Sequence, residues 1–195
     1  MPAAYTFASN TYVICSDSEC AVVDPSVPYH NFSVELPVKY ILLTHAHFDH
    51  MMFIDEWVSN TGAEVIVSEN DAPALSDCVK NCYQLFLGKN EGYFGKYRVV
   101  KNEDRLMIGD DIVYVISTPG HTPGSLMYYG GSNLLAGDTI FAGGGYGRCD
   151  LPGGNIDLLK ESIAKVIALP DETLIFPGHG PTTTIFEFRK NYMLK

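Results

Sequence analysis

Seven residues of this chain stand in short motifs whose side chains suit a divalent metal ion. They comprise five of the six histidines and two aspartates, namely His45, His47, Asp49, His50, His121, Asp138 and His179. The first four form one His-Ala-His-Phe-Asp-His segment, and the others follow Pro-Gly, Ala-Gly and Pro-Gly pairs. Zinc, iron and manganese all accept imidazole nitrogens and carboxylate oxygens as ligands. The pattern therefore predicts a metal centre.

The spacing within the first segment divides its ligands into two groups. Alternate residues of an extended segment point the same way, so His45 and His47 can bind one ion while Asp49 and His50 face another direction. Adding His121 to the first pair gives a site of three imidazoles.

A second site of mixed nitrogen and oxygen ligands would combine Asp49, His50 and His179, and Asp138 could bridge both sites. Two ions about 3.5 to 4 Å apart can hold a hydroxide between them and stabilise charge on an attacked carbonyl. We therefore expect two divalent ions per chain, with zinc as the first choice and iron or manganese as alternatives. Asp49 is also expected to be catalytic, because it would bind one ion and orient the nucleophile.

Eight short apolar segments bounded by polar residues, glycine or proline predict β-strands. They cover residues 11–15, 21–23, 40–43, 64–67, 112–116, 126–129, 133–135 and 173–176. The first motif and each later ligand come just after the end of such a segment. Parallel strands of a sheet would therefore bring all the ligands to one edge.

Helices are predicted between these strands. One covers 49–59 with Gly62 beyond its end, another covers about 71–87, and Asn155 can cap a third. The apolar face of the third helix comprises Ile156, Leu159, Ile163, Val166 and Ile167, and Pro170 ends it. Thr184 and Glu187 form a capping-box pattern that predicts a short terminal helix. Strands with interspersed helices indicate an α/β (α+β) protein in which helices cover sheet layers.

Composition narrows the function classes. The chain has 195 residues, 46% of them hydrophobic, which predicts one domain over residues 1–195. The net charge of -10, without a Lys/Arg run, argues against a nucleic-acid partner. The N-terminus lacks a signal-peptide pattern and no segment is long enough to span a bilayer, so we expect a cytoplasmic protein without membrane attachment. The oligomeric state stays open.

The five cysteines are odd in number and do not have a zinc-ribbon spacing. We expect them to be reduced thiols. Cys78 and Cys82, one helical turn apart, are interpreted as small apolar core residues rather than a metal or redox pair.

The His-x-His-x-Asp-His motif and the later His, Asp and His resemble, residue by residue, those of the metallo-β-lactamase superfamily. Within it, the chain is similar to the compact glyoxalase II-like (hydroxyacylglutathione hydrolase-like) hydrolases, over nearly its whole length. The resemblance implies a four-layer αββα sandwich with the metals at one edge of the sheets. It also implies a binuclear metal-dependent hydrolase, a thioesterase acting on small acyl thioesters such as hydroxyacylglutathione.

The residue at a single ligand position distinguishes several other activities of the same fold from the one expected here. True β-lactamases have cysteine or serine in place of Asp138, so the aspartate favours a thioester, lactone or phosphoester hydrolase. Flavodiiron reductases have glutamate in place of His47. Persulfide dioxygenases use a single iron held by the equivalents of His45, His121 and Asp138, and they are the main alternative. A non-catalytic scaffold is disfavoured because no ligand is missing.

The chain departs from the family pattern in two places. Met51 and Met52 stand where glycines commonly follow the motif, so they either narrow the pocket or pack in the core. Full glyoxalase II enzymes also have a C-terminal helical domain that supplies much of the glutathione site. This chain ends at Lys195, so glutathione specificity is not carried over whole, and the use of glutathione stays open.

The glycine-rich segment 140–154 supplies the candidate substrate contacts. Arg148 could bind a substrate carboxylate, or it could simply pair with Asp150. Tyr146 lies in the same segment and is the second candidate.

Overall fold

The computed structural model describes residues 8–193, in which two β-sheets pack face to face. The first sheet contains β1 (Tyr12–Cys15), β2 (Cys20–Val23), β3 (Val38–Leu42), β4 (Glu64–Ser68) and β5 (Tyr97–Val100), in that spatial order. Its first two strands form an antiparallel hairpin, and the remaining neighbours are parallel.

The second sheet contains β6 (Arg105–Ile108), β7 (Asp111–Ser117), β8 (Leu126–Gly130), β9 (Asn133–Gly137), β10 (Leu174–Pro177) and β11 (Thr183–Thr184). The spatial order is β11-β10-β9-β8-β7-β6. Since β8 is antiparallel to both β7 and β9, and β10 is parallel to β9, the strands β7, β9 and β10 share one direction.

Five α-helices lie among these strands in the described part of the chain. They are α1 (Phe48–Met51), α2 (Ile54–Thr61), α3 (Tyr83–Leu87), α4 (Ile156–Val166) and α5 (Ile185–Tyr192). Short 3-10 turns occur at Tyr29–Asn31, Ala72–Ala74 and Ala142–Gly144. Within residues 8–193, no helix combines the length and the apolar character that a bilayer span requires.

Three apolar clusters fill the spaces between the layers. The central one lies between the sheets and includes Leu42, Ile66, Val115, Tyr128 and Leu135. The outer face of the first sheet packs on α2 through Ile41, Leu43, Trp57 and Val65. The outer face of the second sheet packs on α4 and α5 through Met127, Leu159, Ile163, Ile175 and Phe188. The expected four-layer αββα sandwich is confirmed.

All eight predicted strands are present, with ends that differ by up to two residues. Three strands were not predicted. Three of the four residues of edge strand β5 are exposed, so its sequence carries no alternation of buried and exposed residues. In β6 the exposed position Met107 is itself apolar, and β11 has only two residues.

The helix predictions need three corrections. The first helix is divided at Met52 and Phe53 into α1 and α2, although it ends at Gly62 in the left-handed conformation as expected. The predicted helix over 71–87 is wrong, because only the turn at Ala72–Ala74 and α3 form there. The Asp77 carboxylate accepts the Val79 and Lys80 amides, which favours a turn over a continuous helix. On α4, Ile156 is 40% exposed, because it begins the helix outside the buried face.

The expectation of reduced cysteines is wrong for two of the five. Cys15 and Cys20 face each other across the β1–β2 hairpin with their Cα atoms 4.0 Å apart, and they form a disulfide. Strand pairing creates this contact, and the residue spacing alone does not reveal it. Cys82 is fully buried in the core as interpreted, and Cys78 packs against that core. Residues 1–7, which carry the signal-peptide interpretation, lie outside the described residues.

The cap of α4 provides a test of the local structure. The Asn155 side chain accepts hydrogen bonds from the amides of Asp157 and Leu158. We expect Asn155→Ala to lower the free energy of unfolding of the metal-free protein by about 1 kcal/mol, since capping bonds contribute on that scale. Urea denaturation followed by circular dichroism measures the change. Asn155→Asp keeps an acceptor and should stay close to the wild type, whereas equal stability of Asn155→Ala would show that the cap is unimportant.

Candidate metal centre

The ends of four strands and α1 place the seven predicted ligands together. His45 follows β3 of the first sheet, whereas His121, Asp138 and His179 follow β7, β9 and β10 of the second. These three strands run in the same direction, so their carboxyl ends lie at the same edge. The expectation that the ligands come from parallel strands of one sheet therefore needs correction, because the face-to-face packing of two sheets assembles the centre.

Three imidazoles converge first. His45 Nε2 lies 3.1 Å from His47 Nδ1, and His121 Nε2 lies 3.2 Å and 3.0 Å from these two atoms. Tetrahedral zinc with bonds of about 2.0–2.1 Å holds its nitrogens about 3.3 Å apart. The spacing of the three nitrogens therefore matches one metal ion. On the far side of its ring, His121 Nδ1 lies 2.7 Å from the Arg148 carbonyl oxygen, which orients the imidazole.

The second group also assembles. His179 Nε2 lies 3.2 Å from Asp49 Oδ2, and His50 Nε2 lies 3.9 Å from the same oxygen. Asp138 stands between the groups, because its Oδ2 lies 3.6 Å from both His121 Nε2 and His179 Nε2. Its other oxygen, Oδ1, is 3.3 Å from His50 Nε2. Asp138 therefore lies between the two ligand groups, and its bridging of two ions stays a prediction.

The donor set fits a bound cation. His50 Nε2 and Asp138 Oδ1, which both lie in the second ligand group, are buried without a hydrogen-bond partner. Buried polar atoms normally have partners, so an unpaired nitrogen and an unpaired oxygen within a cluster of ligand atoms indicate a group that binds there. The His/Asp cluster thus fits a metal-binding site.

Burial and mutual charge set the protonation of the centre. Burial, reinforced by neighbouring imidazoles, lowers the pKa of His45 well below its usual range and lowers that of His47 to about 3. Burial also lowers the pKa of His50, but Asp24 and Asp138 outweigh it and raise the pKa well above normal. For Asp138, His50 outweighs the effect of burial and lowers the pKa. His45 and His47 are therefore neutral, and each keeps a nitrogen lone pair that is available to a cation.

Glycine at position 178 allows the ligands to approach each other. A Cβ atom added there would lie 2.2 Å from Asp138 Oδ1 and 2.6 Å from His50 Cε1. Both contacts are too short for a side chain, so the Pro-Gly-His motif needs glycine immediately before His179.

A cleft of about 280 Å³ opens onto the centre. Four apolar side chains form one wall of the cleft: Phe48, Phe86, Phe141 and Leu151. Five of the candidate ligands lie at its base: His47, Asp49, His121, Asp138 and His179. The side chain of His179 is 39% exposed, whereas that of His50 is fully buried. The centre is therefore accessible from the His179 side.

The candidate substrate contacts differ in position. Arg148 lines the cleft and pairs with Asp150 through its Nε and Nη2 atoms at 2.7 Å, so the Asp150 pairing is confirmed and the substrate contact stays a prediction. Tyr146 is 41% exposed, stacks edge-on against Tyr192 and is not among the residues that line the cleft. Met51 is 2% exposed in the core and is also absent from the cleft wall, which supports its packing interpretation.

Sequence reasoning missed Asp24, which orients a ligand. Asp24 is 2% exposed, and its Oδ2 lies 2.8 Å from His50 Nδ1. It also accepts hydrogen bonds from the amide and the hydroxyl of Thr44, one residue before His45. Asp24 follows the apolar strand β2 just as the ligands follow theirs, and this signal was present in the sequence. Asp71, a second buried carboxylate behind the centre, was also missed.

Sequence comparison matches residues 4–179 to the family model of the metallo-β-lactamase superfamily. A probable metallo-hydrolase, YqgX of Bacillus subtilis, is 35% identical over 185 residues, which cover 91% of this chain and 87% of that protein. A hydroxyacylglutathione hydrolase of Rhodospirillum rubrum is 36% identical over 169 residues, covering 84% of this chain and 58% of that enzyme.

Two solved structures are similar throughout. The B3 metallo-β-lactamase BLEG-1 superposes with a TM-score of 0.89 at 33% identity, covering 96% of this chain and 94% of that one. TTHA1623 in a di-iron-bound form superposes with a TM-score of 0.83 at 28% identity, covering 96% and 95%. Because a β-lactamase is among the similar structures, similarity of fold does not by itself distinguish a thioester substrate from a β-lactam substrate.

The two ligand groups predict the metal stoichiometry. We expect close to two divalent ions per chain, and we expect His50→Ala to lower this number towards one, because the three-imidazole group stays intact. Elemental analysis after equilibration with metal and dialysis gives the number. His30→Ala is the matched control, since the side chain of His30 is 75% exposed outside the ligand set. One ion in the wild type, unchanged in His50→Ala, would contradict a second site.

Proposed function

The chain belongs to the metallo-β-lactamase superfamily of metal-dependent hydrolases, and we propose that its reaction is the hydrolysis of a small acyl thioester at two divalent ions, with zinc as the first candidate. The observation that carries this proposal is the complete ligand set, assembled where strands of both sheets end, with an aspartate at position 138 between its two groups. When bound, the ions supply a water of lowered pKa and stabilise charge on the attacked carbonyl.

Asp49 is the proposed catalytic residue of the chain. Its Oδ2 atom lies 3.2 Å from His179 Nε2, and its side chain is 17% exposed beside the cleft. Burial raises the pKa of Asp49, but His50 and His179 outweigh this effect and lower it, so the carboxylate is ionised at neutral pH. It can therefore accept a hydrogen bond from the attacking water and orient it towards the substrate.

The cleft wall supports an acyl group of small size. Phe48, Phe86 and Phe141 present aromatic carbon next to the ligands, which excludes water and packs against an apolar acyl chain. Arg148 stands at the same cleft, where its Nε and Nη2 groups donate to Asp150 and its Nη1 group makes no hydrogen bond within residues 8–193. We assign Nη1 to a carboxylate on the thiol portion of the substrate.

The thioester assignment is supported by the hydroxyacylglutathione hydrolase of Rhodospirillum rubrum, at 36% identity. The chain spans 58% of that enzyme. The proposal therefore concerns hydrolysis of the thioester bond and does not include recognition of the glutathione moiety.

A substrate panel tests the reaction class. Protein loaded with zinc, and separately with iron or manganese, is assayed with anionic and neutral acyl thioesters, a lactone, a phosphodiester and a β-lactam. The proposal requires the highest kcat/KM on a thioester. Preferential turnover of the lactone, the phosphodiester or the β-lactam would overturn it. Oxygen consumption with a persulfide by protein holding one iron would instead establish the dioxygenase.

Replacement of Asp49 tests its role directly. Asn keeps the shape and removes the charge, so we expect Asp49→Asn to reduce kcat for the thioester by at least about a hundredfold. The first ion should remain, because Asp49 does not belong to the three-imidazole group. Steady-state kinetics and metal analysis measure both effects. Asp55→Asn, an exposed carboxylate on α2, should behave as the wild type. Wild-type rates in a folded Asp49→Asn protein would exclude a catalytic Asp49.

The contact assigned to Arg148 predicts a different kinetic change. A carboxylate remote from the thioester bond contributes mostly uniform binding, so Arg148→Ala should raise KM for an anionic thioester more than it lowers kcat. The neutral thioester should be nearly unaffected. Arg98→Ala is the matched control, because Arg98 is also an exposed arginine paired with a carboxylate, that of Glu64. If KM for the anionic and neutral substrates changes equally, Arg148 does not bind the carboxylate.

A further inference from the structure

A buried carboxylate outside the ligand set connects the two loops that carry the three imidazoles. Asp71 follows β4 and is 2% exposed. It does not belong to any of the ligand motifs, and it does not line the cleft. The role proposed above for the chain does not use it.

The hydrogen bonds of Asp71 reach both loops at once. Its Oδ2 accepts the amide of Ala46 at 3.1 Å and the hydroxyl of Thr122 at 2.8 Å. Its Oδ1 accepts the amide of Gly124 at 2.8 Å. Ala46 lies between His45 and His47, and Thr122 follows His121. One carboxylate therefore connects the loop after β3 in the first sheet to the loop after β7 in the second.

Packing around Asp71 leaves little freedom in this arrangement. A Cβ atom added to Gly124 would lie 2.5 Å from the Asp71 amide nitrogen and 2.6 Å from its carboxyl carbon. The Thr122 hydroxyl that bonds Asp71 also lies 2.8 Å from Ser125 Oγ, which accepts the Thr122 amide at 3.0 Å. The carboxylate is thus held by a closely packed turn, and that turn begins at a ligand.

We propose that Asp71 is a positioning residue that sets the spacing of His45, His47 and His121 and thereby the affinity of the three-imidazole site for its ion. The inference rests on the proposed metal centre. It differs from the role of Asp24, which bonds His50 of the other ligand group directly.

The chemistry requires a carboxylate at this position. All three neighbours donate to Asp71, and they approach both of its oxygens. An amide of the same shape has one accepting oxygen, so its NH₂ group would face either the Gly124 amide or the Ala46 and Thr122 donors. Asp71→Asn therefore keeps the volume and breaks the connection between the loops.

The test measures cobalt(II) affinity rather than activity. In a His50→Ala background, which leaves the three-imidazole group as the intact site, we expect Asp71→Asn to weaken cobalt(II) binding by at least about tenfold in a chelator competition assay. Asp77→Asn is the matched control, because Asp77 also accepts two backbone amides in the same segment but lies outside the ligand loops. Thr122→Val removes one of the three bonds and should weaken binding by about fivefold.

Urea unfolding of the metal-free proteins separates positioning from general stability. If the role of Asp71 is purely structural, Asp71→Asn lowers the free energy of unfolding but the folded variant keeps the wild-type affinity for cobalt(II). That result would overturn the proposal. If Asp71→Asn does not fold, unchanged affinity in Thr122→Val overturns it. Failure of the proposed metal centre is a separate outcome, because it would appear as absent cobalt binding by the wild type or as undiminished binding by His45→Ala. Failure of the thioester assignment would appear only in the substrate panel.

Discussion

The close approach of His121 to the pair formed by His45 and His47 is the contact on which the rest of the structure depends. The three ring nitrogens lie 3.0–3.2 Å apart, although His121 follows a strand of the second sheet and the other two histidines follow a strand of the first. Such spacing requires the two sheets to pack face to face with their strand ends aligned. The central apolar cluster, with Leu42, Ile66 and Tyr128, provides this packing.

Burial of this many ionisable groups is unfavourable unless each has a partner of suitable charge. The molecule meets this requirement in two different ways. His50, which is fully buried, has Asp24 at its Nδ1 atom and Asp138 near its Nε2 atom, and these carboxylates raise its pKa. His45 and His47 instead have low pKa values and stay neutral. The three-imidazole group thus contributes neutral nitrogens from His45 and His47, and the second group contributes carboxylates. Together they suit two cations.

Supporting residues follow the same division. Asp24 bonds directly to His50, whereas Asp71 reaches His45, His47 and His121 only through their loops. Both carboxylates follow strands of the first sheet, β2 and β4, on either side of β3, which leads to the His-Ala-His motif. The first sheet therefore supplies these two supporting carboxylates as well as the first four predicted ligands, and the second sheet supplies the other three.

The sequence by itself determined the candidate ligand types, their positions after apolar strands, the layered fold and the capped helix α4. These features depend on local periodicity and on residue chemistry, which neighbouring residues define. It failed for the 71–87 segment, where the carboxylate of Asp77 and the left-handed backbone of Cys82 break a helical pattern. The exposed edge strand β5 was missed because burial on one face is what produces alternation.

Only the tertiary structure decided which sheet carries each ligand, that Asp24 meets His50, that Cys15 meets Cys20, and that Arg148 pairs with Asp150 while lining the cleft. Tyr146, chosen for its place in a glycine-rich segment, faces Tyr192 instead of the cleft. The reason is physical. Spacing along the chain defines the direction of a side chain within its own element, but contacts between elements depend on strand order and on how the two sheets pack.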